Sequence, residues 1–454
     1  MAQDKFIGLI AGISYIQDAD QLEKYSTDSS GYEAALPCIV VRPVTTDEVV
    51  RVVNACSDCH LGYTIQGGLT GLAGGARPDK GDVVISLELM NKIEEIDTIG
   101  GTVVVQAGVV LEDIQNAVQE SGWYFPLDLG ARGSCQIGGN ISTNAGGNKV
   151  FRYGTTRELV LGLEVVLPDG TVLNMLNRVI KNNTGLDLKH LFIGTEGRYG
   201  IVTRACLRLF PKPEARFSAL TGLNSFNDVT LLLKEARGKV AELSSFEVMW
   251  DNYLLKASQS INKPAPFNGQ YPIYVLLEVE GGVEGLEEKF NRFLERQLES
   301  GLVADVIIPQ SEEQAKAIWK IRDASGETMA KISPAVAFDI GIPLKNMQTF
   351  IEETINALEE QYPTAVNLLF GHLGDGNLHL TTGCLTPEQL LPVEELVYKL
   401  TGKYNGSITA EHGIGRIKKP FLSVSRSAEQ IKVMQNIRKL FNVNDLQNKA
   451  RVID

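Results

Sequence analysis

Five glycines fall within one short span, Ile65-Gln66-Gly67-Gly68-Leu69-Thr70-Gly71-Leu72-Ala73-Gly74-Gly75, directly after a strand-like run. Glycine leaves backbone N–H groups unscreened by side chains, so several of them can converge on an anion such as a pyrophosphate. The spacing contains neither GxGxxG nor GK followed by Ser or Thr, which argues against a Rossmann fingerprint and a Walker loop. Taken alone, this span is equally compatible with a turn-rich surface loop.

Two further glycine-rich stretches follow in the same half of the chain. One is Pro126-Leu-Asp-Leu-Gly-Ala-Arg-Gly-Ser134-Cys-Gln-Ile-Gly138-Gly139-Asn140-Ile-Ser-Thr143-Asn144-Ala-Gly146-Gly147. The other is Gly194-Thr-Glu196-Gly197-Arg-Tyr-Gly200-Ile201-Val202. The three stretches together favour a binding role over a surface loop.

Three of the five histidines fall in two short motifs of the second half. The first motif is Phe370-Gly-His372-Leu-Gly-Asp-Gly-Asn-Leu-His379, in which a Gly-Asp-Gly turn separates two strand-like stretches. A hairpin with that turn would place His372 and His379 roughly opposite each other, with converging imidazoles. The second motif is Glu411-His412.

Two imidazoles and a carboxylate suit a borderline divalent metal such as Zn²⁺, and three protein ligands leave an open position for catalysis. We therefore predict a metal site formed by His372, His379 and Glu411. His412 cannot easily reach the same ion, because neighbouring side chains diverge on an extended strand, and it is predicted to be a general base. The alternative is that these are turn and strand histidines that bond to the backbone.

The composition excludes several classes of protein. A chain of 454 residues should hold two or three domains, and 44% hydrophobic with 22% charged residues describes a globular protein. The formal net charge of −12 argues against binding to nucleic acid or to an anionic membrane surface. We expect no membrane span and no signal peptide, because no long uncharged apolar run is present, and we therefore expect a cytoplasmic location.

The six cysteines are scattered and are expected to be reduced thiols. Cys56-Ser-Asp-Cys59-His60 matches the pattern of c-type haem attachment, which accompanies export. The motif ends a helical pattern over residues 46–55, so we interpret it as a plain helix end.

The order of predicted elements indicates an α+β fold. Strands are predicted at 83–87, 102–106 and 159–172, the last interrupted by a hairpin turn at Asp169-Gly170. Thr45-Thr-Asp-Glu48 forms a capping box before one helix, and residues 111–118 form another. Pro211-Lys-Pro213 indicates a domain boundary.

The second half is predicted to be an antiparallel sheet covered on one face by helices. Strands are expected at 273–280 and near 303, 338 and 368. Helices are expected at 225–240, 285–300, 311–331, 344–361, 386–404 and 427–441.

Together these motifs resemble the flavoproteins of the vanillyl-alcohol oxidase and p-cresol methylhydroxylase superfamily. Within it, the histidine motifs resemble the FAD-dependent D-2-hydroxyacid dehydrogenases, and the D-2-hydroxyglutarate dehydrogenases most, from about residue 25 onward. The resemblance implies a two-subdomain FAD-binding domain over residues 1–213 and a substrate and metal domain over 214–454. A C-terminal segment, about 405–454, would return to the flavin.

The resemblance also implies which residues contact FAD. These are Gln66, Gly67, Gly68, Leu69, Thr70, Gly71, Gly74, Gly75, Pro126, Ser134, Gly138, Gly139, Asn140, Thr143, Asn144, Gly146, Gly147, Glu196, Gly197, Gly200 and Ile201. Some members of the superfamily attach FAD covalently through a histidine where this chain has Leu69, so a dissociable flavin is expected. The tail Asp445-Leu-Gln-Asn-Lys449 lacks the Leu-Asn-Pro of relatives, which leaves its flavin contact open.

By the same resemblance the substrate is a small D-2-hydroxy acid whose carboxylate binds Arg322, with Asn377 holding the substrate or a ligand. The metal would lower the pKa of the substrate hydroxyl, His412 would accept its proton, and hydride would pass to the flavin. The expected electron acceptor is an electron-transferring flavoprotein or a quinone, and the subunits are expected to form a homodimer.

Two substrate interpretations stay open. The D-2-hydroxyglutarate enzymes have Thr, Lys and Asn at three substrate-binding positions where this chain has Gly326, Ala337 and Thr381. A second substrate carboxylate without a cation would cost about 2–5 kcal/mol. The substrate is therefore either D-2-hydroxyglutarate, held by other groups, or another D-2-hydroxy acid such as D-lactate.

Overall fold

The computed structural model describes residues 2–453 and contains two compact units. Unit 1 comprises Met1–Gly147, Gly154–Lys212 and Glu411–Asp454, and unit 2 comprises Asn148–Tyr153 and Pro213–Ala410. The main boundary falls between Lys212 and Pro213, inside the proline-rich break of the sequence. No sequence pattern predicted that the short Asn148–Tyr153 segment belongs to unit 2.

The first sheet of unit 1 carries the first glycine-rich span at its end. Its strands, in spatial order, are Ser14–Ile16, Ile39–Arg42, Val83–Ser86 and Tyr63–Gln66. The last three strands are parallel, and a parallel pair needs a crossover, which helix Thr46–Cys59 supplies. Only half of the predicted capping box forms: Thr45 Oγ1 accepts from Glu48 N at 3.2 Å, whereas Glu48 Oε2 accepts from Val44 N at 2.7 Å and not from the N–H of the N-cap residue.

The second sheet of unit 1 has five antiparallel strands. In spatial order they are Ile93–Asp97, Thr102–Gln106, Ile201–Arg208, Val160–Val166 and Val172–Met175. The hairpin predicted at Asp169-Gly170 is confirmed, because Val166 pairs with Val172 across it. Two sheets with their helices confirm the predicted α+β class.

Helices connect and cover these sheets. Those of unit 1 are Ala2–Leu9, Ala19–Leu22, Thr46–Cys59, Leu111–Glu120, Ile137–Thr143, Thr156–Leu159, Leu422–Ser425 and Ala428–Phe441. Short 3-10 turns lie at Glu23–Tyr25, Leu188–Leu191 and Lys419–Phe421, and Trp123–Tyr124 pairs with Phe210–Pro211. The Thr46–Cys59 helix ends at His60 in the left-handed conformation, which confirms the helix end predicted for the Cys-rich motif.

Unit 2 is built on a seven-stranded sheet in which every neighbouring pair is antiparallel. Its strands, in spatial order, are Asp305–Ile307, Ala215–Leu223, Ile273–Gly281, Leu243–Trp250, Val366–His372, Asn377–Gly383 and Val336–Gly341. The sequence did not predict Ala215–Leu223 or Leu243–Trp250. Residues 273–280 are all buried, so this central strand is covered on both faces.

The helices of unit 2 agree with the predictions in part: four lie close to their predicted bounds, one predicted helix is divided in two, and Val150–Tyr153 and Asp251–Ser260 were not predicted. The helices are Val150–Tyr153, Phe226–Lys239, Asp251–Ser260, Leu286–Glu299, Glu312–Arg322, Ser325–Lys331, Leu344–Gln361 and Pro387–Lys403. The helix predicted over 311–331 is two helices, because Ala324 leaves the helical conformation (ψ 29°) before a Ser-Gly pair that stabilises a helix poorly. Arg322 is therefore the last residue of a helix and not a mid-helix residue.

Within residues 2–453, no helix combines the length and the apolar character that crossing a bilayer requires.

Candidate active site

A cavity of 380 Å³ in unit 1 joins the three glycine-rich stretches. The predicted FAD-contact residues that line it are Gln66, Gly67, Gly68, Leu69, Thr70, Gly71, Gly75, Gly138, Gly139, Asn140, Thr143, Gly146, Glu196, Gly197, Gly200 and Ile201. Glu411, His412 and Asn448 also line it, so the tail of the chain contributes to the same wall. The cavity thus brings the predicted general base to the predicted cofactor stretches.

Five other predicted contact residues do not line this cavity: Gly74, Pro126, Ser134, Asn144 and Gly147. Two of them have clear structural roles. Asn144 ends helix Ile137–Thr143 in the left-handed conformation, and its Oδ1 accepts from Arg157 N at 2.9 Å. At Gly147 a Cβ would lie 1.9 Å from Asp128 O, so only glycine fits.

Close backbone packing explains why glycine recurs at the cavity wall. A Cβ at Gly68 would lie 2.1 Å from Ser134 O, and a Cβ at Gly138 would lie 2.7 Å from the Ala107 Cβ. The first two glycine-rich stretches therefore pack directly on each other and on the neighbouring strand, without side chains between them.

Three amide oxygens at the cavity have no hydrogen-bond partner among residues 2–453. They are Gln66 Oε1, Gln136 Oε1 and Asn140 Oδ1, each buried and each on a residue that lines the cavity. Gln66 Nε2 donates to Tyr25 O and Ala76 O, both at 2.8 Å, which fixes the orientation of that amide. Buried acceptors without donors are costly, so the wall is suited to a ligand that carries hydroxyl or N–H groups.

Glu196 was predicted to contact the cofactor, and it lines the cavity. Its carboxylate, however, accepts hydrogen bonds from backbone N–H groups of the protein. Glu196 Oε1 accepts from Ile414 N at 2.7 Å, and Oε2 accepts from Gly415 N at 2.9 Å. Burial raises the pKa of Glu196, and these two N–H bonds oppose the rise only in part. Glu196 therefore anchors the stretch that begins with Glu411 and His412.

Two side-chain amides fix the C-terminal tail at the cavity. The sequence had left the contacts of this tail open. Asn448 Oδ1 accepts from Ile65 N at 2.9 Å, and Asn448 Nδ2 donates to Glu196 O at 2.7 Å. Gln447 Oε1 accepts from the Tyr63 hydroxyl at 2.9 Å. The adjacent amides of the tail were a signal for this role, because each can donate and accept at once.

The histidine hairpin of unit 2 is confirmed, with one correction to its register. Val366–His372 pairs with Asn377–Gly383, and Phe370 lies opposite His379. The sequence predicted that His372 and His379 lie roughly opposite each other, but they are diagonal neighbours on one face of the hairpin. Their ring centroids are 5.5 Å apart, and a nitrogen of one ring lies within 4.8 Å of a nitrogen of the other. The imidazoles do converge.

Glu247 is a part of this site that the sequence did not reveal. It lies opposite His372 in the neighbouring strand Leu243–Trp250, and it is 2% exposed. His372 Nδ1 is 2.9 Å from Glu247 Oε1. The only sequence signal was one acidic residue inside an apolar run, in a strand that was itself not predicted.

Arg322 joins the same cluster from the end of helix Glu312–Arg322. It is 7% exposed, and its Nη2 lies 2.5 Å from Glu247 Oε2 and 2.9 Å from His372 Nε2. Burial would raise the pKa of Glu247, but the charges of Arg322 and His372 outweigh burial and hold that pKa below its usual value. The cluster thus contains an ionised carboxylate between two cationic or polar groups.

Asn377 begins the strand that carries His379, two residues further along on the same face. It is buried, and neither Oδ1 nor Nδ2 has a hydrogen-bond partner among residues 2–453. An amide in this position is suited to a ligand that both donates and accepts.

The chain leaves unit 2 beside the same strands. Asp339 pairs with His379, its Oδ2 accepts from Thr409 Oγ1 at 3.1 Å, and its backbone oxygen accepts from Ala410 N at 3.1 Å. Glu411 is the next residue in the chain. Glu411 belongs to unit 1.

Comparison with known proteins identifies both parts of the chain. A family described as FAD linked oxidases, C-terminal domain, matches residues 212–452, and a family described as FAD binding domain matches residues 37–176. A relative from Oryza sativa subsp. indica, named as a probable mitochondrial D-2-hydroxyglutarate dehydrogenase, is 39% identical over 99% of this chain and 81% of its own. A relative from Schizosaccharomyces pombe, provisionally named as a mitochondrial D-lactate dehydrogenase, is 35% identical over 96% of this chain and 86% of its own.

A solved structure supports the fold. The structure of p-cresol methylhydroxylase with substrate bound matches with a TM-score of 0.81 over 100% of this chain and 96% of its own, at 16% identity. At that identity the likeness concerns the fold alone. It agrees with the predicted fold class.

Proposed function

Since the chain belongs to the FAD-linked D-2-hydroxyacid dehydrogenases, we propose that it oxidises D-2-hydroxyglutarate to the 2-oxo acid with the help of a divalent cation. The observation that carries the proposal is the shared wall of the unit 1 cavity, where the three glycine-rich stretches meet Glu411 and His412. It unites a cofactor cradle with a base and a potential metal ligand.

The residues of the cavity fit FAD. The unpartnered amide oxygens of Gln66, Gln136 and Asn140 need donors, and the ribityl hydroxyls and the ring N–H of a flavin are donors. Leu69 offers no nucleophile, so the flavin is dissociable. When bound, FAD supplies the hydride acceptor, and a divalent cation supplies a Lewis acid that lowers the pKa of the substrate hydroxyl.

His372, His379 and Glu411 would hold the cation. The two imidazoles converge, and the carboxylate of Glu247 on His372 Nδ1 leaves Nε2 as the nitrogen available for a metal. Glu411 follows Ala410, whose backbone N–H donates a hydrogen bond to Asp339, the strand partner of His379. Imidazole and carboxylate ligands favour Zn²⁺.

The remaining residues bind the substrate and move its proton. The guanidinium of Arg322 would hold the 2-carboxylate, since its planar fork suits a carboxylate better than an ammonium does. The buried amide of Asn377 would accept from and donate to the substrate. His412 would accept the hydroxyl proton.

A second candidate substrate is a D-2-hydroxy acid without a distal carboxylate, such as D-lactate. Ala337 pairs with Thr381 on the same face as Asp339 and His379, and a side chain at Gly326 would meet open space. None of these three positions offers a cation to a second carboxylate. The relative from Schizosaccharomyces pombe is in accord with this candidate.

A panel of D- and L-2-hydroxy acids with an artificial dye acceptor tests the proposal. We expect kcat/KM to be highest for D-2-hydroxyglutarate and to fall by at least tenfold for D-lactate. The reverse order would replace the first substrate by the second, and no turnover of any D-acid would refute the proposal. The electron acceptor, a homodimer and a cytoplasmic location remain predictions.

A further inference from the structure

One buried carboxylate contacts both predicted functions of the unit 2 cluster. Glu247 Oε1 lies 2.9 Å from the predicted metal ligand His372, and Oε2 lies 2.5 Å from the predicted substrate ligand Arg322. The antiparallel pairing of Glu247 with His372 fixes the first contact through the backbone. Each oxygen of the carboxylate therefore serves a different partner.

We propose that Glu247 is a positioning residue that sets the tautomer of His372 and the orientation of Arg322 together. This inference rests on the proposed metal-assisted function. A carboxylate on Nδ1 requires the proton on that nitrogen, which leaves the lone pair of Nε2 for the cation. In the structure Arg322 Nη2 lies 2.9 Å from Nε2 and 3.1 Å from Nδ1 of His372, so the guanidinium is close to both ring nitrogens and needs a partner of its own when a cation binds Nε2.

Glu247 also explains how Arg322 stays in place when a cation binds Nε2 of His372. The ion pair with Glu247 Oε2 does not depend on His372, so the guanidinium keeps one fixed partner. A glutamine at 247 could still accept from His372, but its amide nitrogen cannot accept from Arg322. Loss of either partner leaves a buried charge uncompensated, so both functions depend on this one residue.

The chain offers a matched control in Glu280. It is buried on the same face of the sheet, in the adjacent strand Ile273–Gly281. Its Oε2 pairs with Lys149 at 3.2 Å and with Arg216 at 3.1 Å. A Glu280→Gln variant therefore loses a buried ion pair without touching His372 or Arg322.

The test is the Zn²⁺ dissociation constant of the flavin-loaded protein, measured by competition with a chelator. We expect Glu247→Gln to weaken Zn²⁺ binding about 10–100-fold and to raise KM for the hydroxy acid, while Glu280→Gln stays within about twofold of the parent. Glu247→Asp keeps the charge but withdraws it from both partners. It should weaken binding as well, and it serves if Glu247→Gln does not fold.

The outcomes separate this inference from the proposed function. If the parent protein binds no Zn²⁺ and needs none, the metal-assisted function fails. If the parent binds Zn²⁺ and both Glu247 variants bind it equally well with unchanged KM, the role of Glu247 alone is refuted. Equal weakening by Glu280→Gln would also refute it, because any buried glutamate would then have the same effect.

Discussion

The carboxylate of Glu196 accepts a hydrogen bond from the backbone N–H of Gly415 at 2.9 Å, although 219 residues separate the two in sequence. Ile414 N donates a second hydrogen bond to the same carboxylate at 2.7 Å, and the two bonds together form a clamp on this segment. Since His412 lies two residues before Ile414, Glu196 sets the position of the proposed base along the cavity wall.

We predict that Glu196→Ala lowers kcat by about 100-fold, because a shift of the base by about 1 Å is enough for a loss of that size. Glu196→Gln should lose less than about tenfold, since its amide oxygen can still accept one of the two N–H bonds. Single-turnover reduction of the flavin by substrate measures this effect. Equal rates for the two variants would show that the clamp does not position His412.

The pH dependence of stability should change with the same residue. Burial raises the folded-state pKa of Glu196 above its ordinary value of 4.5. Its contribution to the free energy of unfolding is therefore fully present below about pH 4.5 and is lost as the pH rises through the folded-state pKa. Between pH 4.5 and 7, denaturant unfolding of the parent should lose more stability than that of Glu196→Gln. The exposed Glu33→Gln variant should follow the parent, and parallel curves for all three proteins would contradict the prediction.

Replacement of Asn377 should lower activity without lowering the stability of the protein. Both polar atoms of its side chain are buried without a partner, so the nearly isosteric Asn377→Leu should keep or raise the free energy of unfolding by about 1 kcal/mol. At the same time kcat/KM should fall by about tenfold, the worth of one hydrogen bond to substrate. Asn367→Leu is the control, since Asn367 Oδ1 accepts from Thr382 Oγ1 at 2.9 Å and its loss should destabilise the fold. Unchanged turnover in Asn377→Leu would remove Asn377 from the site.

Arg322→Lys should raise KM for the hydroxy acid by about 10–100-fold with a smaller effect on kcat. Lysine keeps a positive charge against Glu247 but lacks the planar fork. Arg322→Ala is the poorer test, because it leaves Glu247 buried without its cation and should destabilise the protein. Lys320→Gln, on the exposed side of the same helix, should leave KM unchanged. A parent-like KM in Arg322→Lys would argue against the carboxylate contact.

Removal of the cation should abolish turnover without loss of the flavin. We expect dialysis against a chelator to reduce activity by at least about 100-fold while the yellow absorbance persists, and added Zn²⁺ to restore it. His372→Ala should show the same loss without rescue. Full turnover after exhaustive chelation would leave the flavin reaction intact and end the metal proposal.

Local signals predicted the elements of this chain well. The helix N-cap at Thr45, the turn at Asp169-Gly170 and the turn between His372 and His379 were all confirmed, because each depends on residues a few positions apart. The register of the histidine hairpin was predicted less well. A four-residue connection from Leu373 to Gly376 shifts the pairing so that the two histidines are diagonal.

The central strands Ala215–Leu223 and Leu243–Trp250 escaped prediction. Leu243–Trp250 is buried up to Met249 and Ala215–Leu223 is buried from Ser218 onward, so their side chains do not alternate between apolar and polar residues as those of a half-exposed strand do. With Leu243–Trp250 unrecognised, Glu247 could not be assigned to any site.

The sequence by itself determined the chemistry available to this protein: glycine stretches that admit a cofactor, a turn that joins two histidines, and an acidic residue beside a base. These follow from local backbone freedom and side-chain type. Only the tertiary structure decided which distant groups meet, such as Glu247 with His372, 125 residues apart, and Glu196 with Gly415. Strand order and chain return set those contacts, and they depend on burial of the whole sheet and not on any short pattern of residues.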